Sequence, residues 1–239
     1  MQIARLASFV HKWLALLVGL QIVFWVVSGF FFTLFPIEQI RSEHLIRPAP
    51  VARAIDTAAL GDLRLIRDTQ SRAPVKLTLE QRADGPVAVA EFVDGAPALF
   101  DAASLRQLSP LNRDSAMAIA SGHVTLARPP IAADLIEAAS AEYRGALPAW
   151  RVQFADSGLS VYVAANTGAV TARRSDLWRL YDTLWALHIM DWRDHENFNH
   201  PLIIAVTAIT LISVIAGIVL IPYRIRFRTS RRRPAVNES

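Results

Sequence analysis

Histidines are the residues of this chain that are best suited to chemistry, and five of its six flank two long apolar runs. They are His11 before the first run, His44 after it, and His188, His195 and His200 before the second run. Imidazole ligates haem iron and other transition metals. The chain has no Cys, which excludes disulfides, thiolate catalysis, zinc–thiolate sites and iron–sulfur clusters.

A b-type haem held by two histidines needs both imidazoles at one depth in the membrane. His188 and His200 meet this condition, and so does His44 with either of them. His11 precedes the first run, about 30 Å away across the bilayer, so it could pair only with a second copy or a partner protein. Haem b is therefore a candidate cofactor, with His188, His200, His11 and His44 as candidate ligands. The alternative is that His11 marks the membrane interface and His200 caps the second helix.

Other chemistries have weaker support in the sequence. The spacing of Asp191, His195 and His200 departs from the i, i+4 pairs that bind zinc on a helix, so no metal site is predicted. The chain has neither a Gly-rich phosphate loop nor a G-x-S-x-G elbow. Its domain lacks basic runs interleaved with aromatic residues, which argues against nucleic-acid binding. The favoured prediction is a protein that is not an enzyme.

The two apolar runs are long enough to cross a membrane. Residues 14–35 and 201–222 each form 22 uncharged residues, against the roughly 20 that a spanning helix needs. The first run exceeds the apolar core of a signal peptide and is followed by no small-x-small cleavage site, so we expect a retained anchor.

Charge predicts the orientation. The segments before the first run and after the second run together carry eight of the 25 basic residues and one of the 21 acidic ones. The segment between the runs has a net charge of −3. The positive-inside rule then places both termini in the cytoplasm and the central segment in the periplasm of a bacterial inner membrane. The basic tail, RIRFRTSRRR, is expected to anchor this topology and to touch anionic lipid.

The central segment alternates short strands with turns. Strands are predicted at 76–80, 87–93, 149–154, 159–164 and 169–173, and another that begins at 98–101 and ends at 108–110, from polar–apolar alternation and turn residues. Helices are predicted after a cap at Asn112 or Asp114 and over 132–143. Residues 75–110 and 148–174 look like two copies of one strand–turn–strand unit. This pattern indicates an α+β domain.

The chain resembles a known family in three blocks. The lead-in EYRGALPAWRVQF with the turn VYVAANTGAV resembles a PepSY module, in which a helix packs on a small antiparallel sheet. The first apolar helix, HKWLALLVGLQIVFWVVSGFFFTL, and the later segment RLYDTLWALHIMDW resemble those of PepSY-associated membrane proteins. Larger relatives, including ferric-siderophore reductases with haem, have four spanning helices, whereas this chain has two.

The resemblance and the residues together predict the site residues. The turn residues Tyr162, Asn166, Thr167 and Gly168 are expected to shape the fold and to face a partner. Aromatic residues at helical spacing are expected to lie at the membrane interface or to pack on the sheet. With their neighbours, the predicted interface residues are Trp178, Tyr181, Trp185, His188, Asp191 and Trp192.

The predicted organisation is a PepSY-like antiparallel sheet with helices, in one or two repeats, between two transmembrane helices. Its segments are a cytoplasmic N-terminus (1–11), a first span (12–35), a periplasmic domain (36–174), an interfacial helix and loop (175–199), a second span (200–222) and a basic tail (223–239). The expected partners are the bilayer, a protein or peptide, and a second copy of the chain.

The expected function is that of a binding or accessory module linked to iron uptake or redox systems, as the family resemblance implies. The alternative is a subunit of a haem-containing electron-transfer system similar to ferric-siderophore reductases.

Overall fold

The computed structural model describes residues 2–48, 54–66, 73–82, 84–93 and 95–224. It divides into a helical unit, formed by Met1–Phe31 and Leu184–Ser239, and an α+β unit, formed by Phe32–Thr183. Its longer helices, among the described residues, are α1 (Gln2–Leu34), α2 (Arg113–His123), α3 (Asp176–Ile189) and α4 (Pro201–Arg224), and a four-residue helix spans Ile37–Ile40. The arginines of the basic tail from residue 225 onwards lie outside the described residues.

The helical unit contains two helices that are long and apolar enough to cross a membrane, α1 and α4. With 33 residues, α1 is about 50 Å long at 1.5 Å per residue. It begins at Gln2, so the helix also includes the segment that the sequence assigned to a cytoplasmic N-terminus before the span.

The α+β unit contains two antiparallel sheets. The first has three strands in the order β1 (Pro74–Arg82), β2 (Gly85–Phe92) and β3 (Gly95–Asp101). The second has four strands in the order β4 (Ala132–Ile136), β5 (Ala149–Gln153), β6 (Ser160–Ala164) and β7 (Val170–Arg174). The central antiparallel sheets agree with the α+β class that the sequence predicts.

One apolar core joins the two sheets and α2. The Asn112 side chain caps α2 by accepting a hydrogen bond of 2.9 Å from the Ser115 amide, as its type and position predict. The helix then packs against β4, β5 and β6 and buries Ala116 and Ala120. The other buried members of this core come from both sheets and the adjoining loops: Val87, Val89, Leu99, Leu111, Val124, Ala133, Val152, Phe154, Leu159, Val161 and Val163.

The helix predicted over residues 132–143 is wrong. Residues Ala132–Ile136 form β4, in which Asp134 pairs with Arg151 and Leu135 with Trp150 of β5. The following residues form a turn in which the Ser140 amide donates to the Tyr143 carbonyl. The local apolar spacing suits a helix, but pairing with β5 satisfies the backbone and extends the sheet, which outweighs the weak local preference.

The two proposed copies share an order of strands. Within residues 75–110, β1, β2 and β3 pair as an antiparallel meander, and Gln107 then forms a single bridge with Phe100. Within residues 148–174, β5, β6 and β7 also pair as an antiparallel meander, and β4 lies before this copy. The repeat stays a hypothesis that this common order favours.

Arg82 at the end of β1 ties the first sheet to the β6–β7 turn. Its Nη2 donates to the Thr167 carbonyl at 2.9 Å and pairs with Glu80 at 2.8 Å. Gly168, with a φ of +69°, leaves the space into which the guanidinium fits, because a Cβ there would lie 2.6 Å from Arg82 Nη1.

Replacement Gly168→Ala is expected to lower the free energy of unfolding by about 1–3 kcal/mol, because the left-handed backbone strains an L-residue and the Arg82 contact is displaced. Thermal unfolding of the detergent-solubilised full chain measures this loss. The matched control is Gly122→Ala, a helical site with nothing within 4 Å of the added Cβ, which should be neutral or stabilising. Equal losses at both sites would contradict the role of Gly168.

Candidate functional site

A stripe of polar and bulky side chains runs along one face of α1. Its members recur at spacings of three and four: His11, Leu14, Val18, Gln21, Trp25 and Ser28. This spacing keeps side chains on one side of a helix. Val18 and Ser28 are buried. We call these six residues the α1 seam.

The C-terminal part of the α1 seam, formed by Gln21, Trp25 and Ser28, forms hydrogen bonds with the end of α3. Gln21 Nε2 donates to the Leu187 carbonyl at 3.0 Å, and Trp25 Nε1 donates to the His188 carbonyl at 2.7 Å. These carbonyls belong to the last turn of α3, where no further helical amide follows to satisfy them. The side chains of α1 therefore act as a C-terminal cap for α3.

Ser28 and His188 form the third contact of this group. The hydroxyl of Ser28, which is 1% exposed, lies 2.6 Å from the Phe24 carbonyl and 2.7 Å from His188 Nδ1. If the hydroxyl donates to Phe24, it accepts from the Nδ1–H of His188. This fixes both the tautomer and the direction of the imidazole. A hydrogen bond at Nδ1 is the usual way in which a protein orients a metal-ligating histidine.

The N-terminal part of the α1 seam contacts α4 through a hydrogen bond of His11. His11 Nδ1 lies 2.8 Å from the Ser213 carbonyl, and the ring packs on Gly217, where a Cβ would lie 3.1 Å from His11 Cε1. Small residues four apart allow this close approach, as at many helix contacts in membranes.

The His11 contact sets an unexpected register. If the two apolar runs were antiparallel with their ends level, Ser213 would lie opposite Val23. Its hydrogen-bond partner is instead His11. The two runs are therefore shifted along each other by about 18 Å at 1.5 Å per residue. The sequence placed His11 at the mouth of the first span, whereas the structure sets it level with the middle of α4 (Pro201–Arg224).

The loop between α3 and α4 is organised by Asp191. Its carboxylate accepts backbone hydrogen bonds from Arg193, Asp194, Glu196 and Asn197. These hydrogen bonds hold the pKa of Asp191 well below its usual range, since they favour the charged form. Asp191 therefore shapes the loop. Among the residues that the structure describes, no group of three or more His, Cys, Asp or Glu side chains is placed to hold a metal ion.

Of the four candidate haem ligands, the structure brings two to the same loop region. His200 Nε2 lies 3.0 Å from the Ile189 carbonyl, next in sequence to His188. His11 is bonded to α4 and precedes Ser28 by about 25 Å of helix, so it cannot share a porphyrin with His188. His44 lies on a 3-10 turn of the α+β unit. The donor set fits haem only in part, because His200 uses Nε2 to bind a carbonyl.

The predicted interface residues have defined contacts within each unit. In the α+β unit, Trp178 lies under the Arg174 guanidinium at 4.0 Å, and Tyr181 lies 4.9 Å from the Phe32 ring. In the helical unit, Trp185 Nε1 donates to the His195 carbonyl at 3.1 Å, and Trp192 is exposed. Their place at a membrane surface stays a prediction.

The predicted turn of the α+β unit lies between β6 and β7. Tyr162 is 2% exposed and stacks on Tyr143 with ring centroids 4.3 Å apart. Burial, reinforced by the negative charge of Glu142, raises the pKa of Tyr162 to about 12. Tyr162 therefore supports the fold from inside the domain, while Asn166 and Thr167 are partly exposed in the turn.

Three polar residues of the α1 seam, Gln21, Trp25 and Ser28, were not among the site residues predicted from the sequence. Gln21, Trp25 and Ser28 lie inside an apolar run, where polar atoms must find partners within the protein. Their spacing with His11 was the available signal, because it repeats every three or four residues.

The haem hypothesis predicts a b-type spectrum for detergent-purified full-length protein expressed with haem precursor, with an α-band on reduction by dithionite. Replacement of His188 or His200 by Ala should abolish this band if they are the ligands, and His195→Ala in the same loop is the control. Folded protein without a Soret band would remove haem from the account.

Comparison with known proteins assigns the family. The family model described as the PepSY-associated TM region matches residues 9–237. No curated protein and no solved structure matches the chain. The match covers both apolar helices and the whole segment between them, so the chain belongs to the PepSY-associated transmembrane family and is a two-pass membrane protein.

Proposed function

We propose that this protein holds a PepSY-like domain on the periplasmic side of the bacterial inner membrane, where the domain binds an extended peptide segment of a membrane or periplasmic partner. The observation that carries this proposal is the open edge of the four-stranded sheet at β4. Extended peptides add to such edges through main-chain hydrogen bonds.

The β4 edge has the composition of a binding edge. In the described part of the chain, β4 pairs with β5 alone and forms the end of its sheet. Ile131, beside the strand, is 66% exposed, and Leu135, within it, is 44% exposed. Apolar side chains along an open strand supply the side-chain contacts by which an added peptide is selected.

Charge at this edge does not oppose an incoming strand. The carboxylate of Asp134 binds Arg151 at 3.0 Å and Gln153 at 2.7 Å, so its charge is neutralised within the sheet.

The proposed topology rests on charge and helix order. The flanks of the two apolar helices carry most of the excess positive charge, which supports cytoplasmic termini. We propose this orientation for the segments predicted from the sequence, with a first span that begins before residue 12, a boundary that the His11–Ser213 contact supports. The link to iron uptake or redox systems is supported by the resemblance to PepSY-associated proteins.

Photo-crosslinking in intact cells tests the edge. A photoreactive residue at Ile131 or Leu135 of the full-length protein is expected to give a discrete adduct with a partner, because the peptide lies along β4. The matched control is Val93, an exposed apolar residue next to β2, which should give none. Adducts of equal yield at all three positions, or at Val93 alone, would contradict binding at the β4 edge.

A further inference from the structure

A basic cleft lies between the start of α1 and the end of α4. It is lined by Ala4, Arg5, Ser8, Phe9 and Lys12 of α1 and by Tyr223 of α4. We call it the α1–α4 cleft. Its volume is about 470 Å³, within the range of about 300–1,000 Å³ typical of small-molecule sites.

The two cations of the α1–α4 cleft have no carboxylate partner among the described residues. The sequence contains no Asp or Glu before Glu38 and none between Glu196 and Glu238, so neither α1 nor α4 can supply one. Lys12 instead lies 5.6 Å from the ring of Trp13. Arg5 and Lys12 lie on one helix face, each about one turn from Ser8. Two uncompensated charges in this arrangement attract an anion with several acceptor oxygens.

The register of α1 against α4 places Lys12 in this cleft. Its neighbour His11 is bonded to Ser213 near the middle of α4, so the backbone of Lys12 lies within the length of that apolar helix. A lysine at such a depth extends its ammonium group towards the nearest polar region. Lining the same cleft as Arg5 and Tyr223, Lys12 reaches towards the end of α4.

Apolar surface continues outward from the cleft. Leu6, Phe9 and Trp13 on the adjacent face of α1 are all exposed in the protein. A free anion would use only the two cations and the hydroxyls of Ser8 and Tyr223. A phospholipid would use these groups for its phosphate and the apolar surface for its acyl chains.

We propose that the α1–α4 cleft is a binding site for the headgroup of an anionic phospholipid. Arg5 and Lys12 bind the lipid phosphate from two sides, and the hydroxyls of Ser8 and Tyr223 donate hydrogen bonds to its oxygens. Basic pockets between spanning helices recognise anionic headgroups in this way. The site is independent of the peptide edge proposed for the α+β unit.

Native mass spectrometry of the full-length protein, titrated with phosphatidylglycerol and with phosphatidylcholine, tests the site. The protein is expected to retain phosphatidylglycerol selectively. Arg5→Gln and Lys12→Gln should each reduce that selectivity about fivefold, as expected for one basic contact to an anionic lipid. Arg5→Lys and Lys12→Arg keep the charge and should keep most of the selectivity.

The matched control is Arg193→Gln, which removes one positive charge from the α3–α4 loop of the same unit. It should leave the selectivity unchanged, and circular dichroism checks that each variant keeps its helices. An equal loss in Arg193→Gln would overturn the proposal, since it would reflect net charge alone. So would wild-type protein without phosphatidylglycerol selectivity, or inorganic phosphate that competes as well as the lipid does.

Discussion

Polar groups on a membrane helix must find partners within the protein, and the helical unit is organised around that constraint. A hydrocarbon environment offers no water to the imidazole of His11 or to the polar side chains of Gln21, Trp25 and Ser28. Each makes a hydrogen bond to a neighbouring segment. Single bonds of this kind contribute only about 0.6–1.7 kcal/mol, but four on one face select a single register. A slip of one residue would turn all four away from their partners.

This register explains two further features of the unit. Because His11 meets Ser213 and Ser28 meets His188, the N-terminal half of α1 lies beside α4 and its later turns lie beside the end of α3. The apolar runs of α1 and α4 are therefore staggered rather than level. The stagger brings Arg5 and Lys12 alongside α4, where they line the cleft with Tyr223. The capped end of α3 and the basic cleft thus follow from one register of α1.

Much of this fold could be predicted from the sequence, because the strands and the two apolar helices are encoded by local pattern. The turn signals Asp156-Ser157-Gly158 and Asn166-Thr167-Gly168 give the second meander its spacing. The strand β4 was missed because the apolar spacing of residues 132–143 suits a helix locally and carries no information about the pairing with β5. The candidate site was predicted in part: His188 was identified, but its partner Ser28 lies 160 residues away. The length of an apolar run predicts the length of a span, but it does not predict how two spans align. The stagger between α1 and α4 could therefore not be predicted from the sequence.

Proximity of residues 11 and 213 tests the central claim most directly. The natural chain has no cysteine, so a pair of introduced cysteines can be joined in native membranes by a short thiol cross-linker. We expect His11→Cys with Ser213→Cys to cross-link, since Gln21, Trp25 and Ser28 still hold the register. Val23→Cys with Ser213→Cys, the pair that level apolar runs would bring together, should not. Efficient cross-linking of residues 23 and 213, with none between 11 and 213, would contradict the account.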